Sequence, residues 1–133
     1  MLETFYIAVE KFIAYQKKIF PDMTEDNDNG EWVFGDEFEN MSNAYLEIVK
    51  NVPCSNATDI LLDNMLYSIA RDSECNNLVN ETLEYPKWFA LLCKYSLQTN
   101  YTNAKWQFAE YLPEYREQDD VRDLIFSFLD CGN

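Results

Sequence analysis

The stretch LETFYIAVEKFIAYQKKIF, from Leu2 to Phe20, decides the class of fold. Its apolar residues Leu2, Phe5, Val9, Phe12, Ile13 and Ile19 return near every third or fourth position, whereas a half-buried strand would alternate every second one. Lys11, Lys17 and Lys18 remain for the solvent face, so the segment reads as an amphipathic helix. Pro21 ends it, because proline lacks a backbone donor and pushes the preceding residue out of helical geometry.

The same period continues along the chain. A second helix is predicted from about Asp36 to Asn51, with Phe38, Met41, Tyr45, Ile48 and Val49 on one side and Pro53 closing it. A third begins near Asn56 or Thr58, where a capping side chain precedes Asp59, and places Ile60, Leu61, Met65, Leu66 and Ile69 inward. Ser73 is a candidate cap for a shorter helix through Leu83. Pro86 opens another, as a first-turn residue whose missing donor has no partner to lose, with Trp88, Phe89, Leu92 and Tyr95 buried. Two more are predicted over about Thr102 to Leu112, before Pro113, and about Glu117 to Asp130, before Gly132. Seven helices on short connections make one all-α domain over residues 1–133, interrupted by an acidic loop at 22–35. Within that loop Glu31-Trp32-Val33-Phe34 is the stretch compatible with extended structure, and Asn29-Gly30 is a turn signal.

Asn103-Ala-Lys-Trp-Gln-Phe-Ala-Glu-Tyr-Leu112 overlays loosely on Asp120-Val-Arg-Asp-Leu-Ile-Phe-Ser-Phe-Leu129, each running from a polar cap through a base to apolar residues. From about Tyr85 to Asn133 this resembles the helix starts of HEAT-type repeats. The resemblance implies an α-solenoid in which stacked helix pairs cover one another's apolar faces, with an irregular helical bundle as the alternative. In either, Phe126, Phe128 and Leu129 require cover.

Composition excludes several functions. The 133 residues carry 24 acids against 10 bases, a formal charge of −14, and such a field repels phosphate backbones and anionic lipid headgroups. Neither nucleic-acid nor membrane binding is expected, and no apolar run is long enough to span a bilayer. The 47% apolar content and 21 aromatic rings nevertheless provide for a core that a disordered acidic tail would lack. With no histidine, the common general base and the Ser-His and Cys-His nucleophile systems are missing. Cys54, Cys75, Cys93 and Cys131 are 21, 18 and 38 residues apart, without the close ligand pairs of a zinc site. Three glycines in no phosphate-cradling pattern leave no nucleotide loop. No catalytic residue, metal or cofactor is therefore predicted.

Glu25 to Asp36 has oxygen side chains at alternate positions and Gly30 sixth, but Glu25 stands at the first ligand position and Asp36 at the twelfth. A calcium loop uses Asp and a longer bidentate Glu there, so the segment reads as an acidic loop. Asp59 with Asp63, and Glu81 with Glu84, are spaced to share a helix face, as chance supplies in so acidic a chain. The first residues contain acids and lack the basic start and apolar run of an export signal, which predicts a cytoplasmic protein. Accordingly, the N-x-S/T sequons at Asn40, Asn56, Asn80 and Asn100 are read as chance.

Recognition is the remaining class of function. Between Asp22 and Glu39 stand eight acids and no base, interleaved with Trp32, Phe34 and Phe38. A second acidic cluster includes Glu110, Tyr111, Glu114, Tyr115, Glu117, Asp119, Asp120 and Asp123. Acids steer a basic partner into contact, and aromatic anchors supply the buried area that dominates interface energy. Asp26, Asp28, Glu31, Trp32, Glu114, Tyr115, Glu117, Asp119, Asp120 and Asp123 are the candidate partner-binding residues. The competing reading turns Trp32 and Phe34 back onto the core and makes Asp119, Asp120 and Asp123 a helix-dipole complement.

In size, acidity and helical character the chain resembles the small helical immunity proteins of polymorphic-toxin and contact-dependent inhibition systems. That resemblance implies a non-catalytic protein that neutralises a basic toxin, a nuclease, by covering its active site. The alternatives are an acidic nucleic-acid mimic directed against a DNA-binding protein and a helical-repeat scaffold or regulator.

Overall fold

The first helix, α1 (Leu2–Ile19), buries Phe5, Ala8, Val9, Phe12 and Gln16 along one face and leaves Lys11, Lys17 and Lys18 exposed, as its period requires. The computed structural model describes residues 1–19, 35–72, 77–99 and 101–111. Over these it contains α1, α2 (Asp36–Asn51), a 3₁₀ turn (Cys54–Asn56), α3 (Asp59–Arg71), α4 (Asn77–Thr82), α5 (Pro86–Ser96) and α6 (Thr102–Tyr111). No strand occurs among the described residues. The predicted seventh helix, the Glu31–Phe34 stretch and the repeat copy at 120–129 lie outside them.

Helix ends follow local chemistry. Val52 is extended, φ −102° and ψ 125°, as the residue before Pro53 should be, and α2 ends there. Thr58 caps α3, its hydroxyl accepting from the Leu61 N–H at 3.2 Å. Pro86 occupies the first turn of α5. Of the shorter helix predicted from Ser73 through Leu83, the described part is α4, Asn77–Thr82. Ser73, the candidate cap, lies outside the described residues; the Asp72 carboxylate accepts from the Leu78 N–H, six residues on, at 2.8 Å.

The helices surround α3, which packs against each of the other five. Nine of its thirteen residues are consequently buried, including Ser68 and Arg71 on positions that a one-sided amphipathic helix would leave wet. Contacts in a solenoid run mainly between neighbouring repeats, whereas here α1 touches α3 and α3 touches α6 across the chain. Of the two predicted architectures, the described residues form the irregular bundle.

A single cluster forms the core. Phe5, Phe12, Met41, Tyr45, Ile48, Leu66, Phe89 and Phe108 are fully enclosed in it, each large side chain contributing about 1.5–3 kcal/mol relative to exposure. Aromatic edges join the elements: Phe12 lies 5.8 Å from Phe38 and 6.1 Å from Tyr67, and Tyr67 lies 6.3 Å from Tyr101. That series ties α1 to α2, α3 and the entry to α6. Ile60, expected inside, is 66% exposed because it sits in the first turn of α3, outside the ring of neighbouring helices.

Candidate functional site

Charge divides unevenly between the helical body and the rest of the chain. The described residues contain 12 acids and 8 bases; residues 20–34, 73–76, 100 and 112–133 contain the other 12 acids and only 2 bases. The bundle therefore carries −4 of the formal −14, and the remaining −10 belongs almost wholly to the two segments that hold the candidate contact residues. Asp26, Asp28, Glu31 and Trp32 fall in the first segment, and Glu114, Tyr115, Glu117, Asp119, Asp120 and Asp123 in the second. All ten lie outside the described residues.

The bundle determines where the first segment leaves and returns. It departs from the end of α1 and rejoins at the start of α2. These two helices pack along each other, with Phe12 against Phe38 near that end. The second segment continues directly from α6, whose buried side is Ala104, Gln107 and Phe108. Trp106, on the other side of α6, is 67% exposed, and Glu110 one turn later is exposed too.

The ionisable groups inside the bundle serve its architecture. Burial raises the Asp72 pKa, opposed by the N–H groups of Leu78 and Asn77 that its carboxylate accepts from. Tyr45 is also raised by burial, and its hydroxyl meets Thr82 Oγ1 at 2.6 Å. Thr82 in turn donates to the Leu78 carbonyl at 2.6 Å, which uses its one hydroxyl proton and makes Tyr45 the donor to Thr82. Asp63, spaced to pair with Asp59, instead accepts from the Tyr95 hydroxyl at 3.0 Å. The Tyr95 pKa is pushed up to about 12, by burial first and then by Asp63. The thiol of Cys93, sealed in the core, is pushed up to about 12 by desolvation, which makes it a poor nucleophile. No cluster of three metal-ligating side chains occurs among the described residues.

Depressions lined by described residues open on the bundle surface. One, of about 710 Å³, lies between the 3₁₀ turn and the start of α5, where the Trp88 indole donates to the Val52 carbonyl at 3.0 Å. The half-buried thiol of Cys54 forms part of its wall beside Lys50 and Lys87. Another, of about 590 Å³, is a groove between α1 and α2. Neither was singled out by sequence. The signal for the second is Ile7, an apolar residue off the Phe5–Val9–Phe12 stripe and 50% exposed.

No described helix is long and apolar enough to cross a membrane. Compared with protein-family models, curated proteins and solved structures, the chain matches none.

Proposed function

We propose that this chain is a non-catalytic inhibitory binding protein of the immunity type, which neutralises a basic bacterial toxin, a nuclease, by direct contact through segments 20–34 and 112–133. The observation that carries the reading is the charge division. A bundle of modest charge bears two segments that together hold nine of the fourteen net negative charges, with Trp32 and Tyr115 among them. Opposite potentials accelerate encounter with a cationic surface, and the aromatic side chains then provide desolvated contact area. The carboxylates that the bundle encloses or engages, Asp72 and Asp63, already have partners within it, consistent with a framework that presents a surface.

The test is capture on the immobilised full chain from lysate of the source organism at low salt, followed by stepped salt elution, mass spectrometry and a nuclease assay of the retained protein. A single stoichiometric basic protein whose nuclease activity disappears on adding the chain supports the proposal. Retention of a DNA-binding protein without such activity favours nucleic-acid mimicry. Many weakly held basic proteins, or none, would leave the acidity with only a solubilising role.

A further inference from the structure

The groove between α1 and α2 combines an apolar floor with acids at both ends. On α2 the lining residues Glu37, Asn40, Ala44 and Glu47 are three, four and three residues apart and form one stripe along the helix, with Asn43 lining the groove beside Ala44. On α1, Ile7 and Ala8 face that stripe, followed by Lys11 one turn on. Glu37 and Glu47 are ten residues apart, or about 15 Å along the axis. Ala8 and Ala44 have side chains too short to fill the space between the helices, and Ile7 beside them leaves half its surface in water.

We propose that this groove receives an amphipathic helix of the basic partner, with its apolar side chains on Ile7, Ala8 and Ala44 and Lys or Arg side chains on Glu37 and Glu47. The inference rests on the reading that the chain binds a basic protein, and it names a second contact for that partner. Small residues allow a third helix to approach closely, as in other helix-in-groove recognition. The two acids bracket the floor at a separation that cations about three helical turns apart would match. Lys11 adds polarity to the pattern, disfavouring a helix that is basic at every flanking position. Continuity along the chain supports the assignment: Glu31 precedes Glu37 by six residues, so the acidic segment that steers the partner leads directly into α2.

The probe is a synthetic 18-residue amphipathic helical peptide of Leu, Gln and Lys, with Lys only at two flanking positions ten residues apart to meet Glu37 and Glu47 and Gln at the others, and a twin carrying Glu in place of Lys. Binding to the isotope-labelled full chain is followed by fluorescence anisotropy and by amide chemical shifts. The basic peptide is expected to bind, its twin not to, and the largest shifts to fall on residues 4–11 of α1 and 37–47 of α2. Glu37→Gln with Glu47→Gln should weaken binding about tenfold, the effect of a 1.4 kcal/mol change. The charge-matched control, Glu81→Gln with Glu84→Gln, should bind as the parent does. Ile7→Asn should also weaken binding with only a small drop in melting temperature, since half of the Ile7 side chain is already in water.

Equal affinity for the groove variant and the control, with shifts confined to segments 20–34 and 112–133, would overturn the groove while leaving the basic-partner reading intact. Failure of the peptide to bind any form of the chain would overturn the groove, with the basic-partner reading judged separately by capture. Concentration-dependent dimers abolished by Ile7→Asn would assign the groove to a second copy and also overturn the proposal.

Discussion

Tyr45 and Thr82, 37 residues apart in the chain, share a buried 2.6 Å hydrogen bond that joins α2 to the last residue of α4. Thr82 passes its own proton to the Leu78 carbonyl, so the Tyr45 hydroxyl has Thr82 as its acceptor. The two substitutions are therefore unequal. Tyr45→Phe removes a donor and leaves Thr82 still bonded, at a cost of about 1 kcal/mol. Thr82→Val strands the Tyr45 hydroxyl in the core and should cost about 1–3 kcal/mol. Chemical denaturation of both variants and the double variant should give a sum of single costs larger than the double cost.

Asp72 predicts a pH dependence of uncommon sign for a carboxylate. Its pKa is raised in the folded state above the ordinary value of 3.8, burial being the largest cause. The folded chain then holds the proton more tightly than the unfolded chain, and this group's contribution to stability falls as pH rises from about 3.8 through the folded value. Asp72→Asn retains a side-chain oxygen to accept from Leu78 and does not titrate. The stability of the parent relative to Asp72→Asn should therefore decline across that window and level off above it, as followed by denaturant midpoints at successive pH values.

Gln16 lies on the buried face of α1 at 2% exposure, and neither its amide oxygen nor its amide nitrogen has a hydrogen-bond partner among the described residues. Burying such a group without partners costs about 1–3 kcal/mol. Gln16→Met, close in volume and flexible, should raise stability by an amount of that order, read as a higher denaturant midpoint with unchanged slope. A lower midpoint would show that the amide contributes an interaction in the native state.

Thr58 caps the helix that every other described α-helix touches. Removing the cap with Thr58→Ala should cost about 1 kcal/mol. Because α3 is shared by the whole bundle, the loss should appear as one cooperative shift in the melting curve rather than fraying of a single element. A separate early transition would argue against that central role.

These cases separate what the amino-acid order reveals from what it conceals. Local signals were legible: the period of α1, the stop before Pro53, the Thr58 cap and Pro86 in the first turn of α5 depend on neighbours within a few residues. Ile60 and Leu61 have similar hydropathy and adjacent positions, yet one is 66% and the other 1% exposed, and only the packing around α3 distinguishes them. The bond from the Leu78 N–H to the Asp72 carboxylate was hidden for the same kind of reason, because it joins residues six apart and does not obey a helix-start spacing. Burial of Ser68 and Arg71 reflects partners on several sides of α3, which a one-face periodicity does not record. Ile7 was visible only as an omission from the α1 stripe, and its meaning depends on Ala44 from a different helix. The ten candidate contact residues followed from charge and aromatic interleaving, and all of them fall in segments 20–34 and 112–133, beyond the described helices.

The central claim is that the acidic segments drive partner recognition. Its most direct test is the association rate with the captured toxin as a function of ionic strength, for the parent and for Asp119→Lys with Asp120→Lys and Asp123→Lys, alongside their melting temperatures. The account predicts a parent rate that falls steeply with salt, a variant rate slower by about tenfold or more at low salt, and little change in melting temperature. Equal rates for the two proteins at every salt concentration would contradict it.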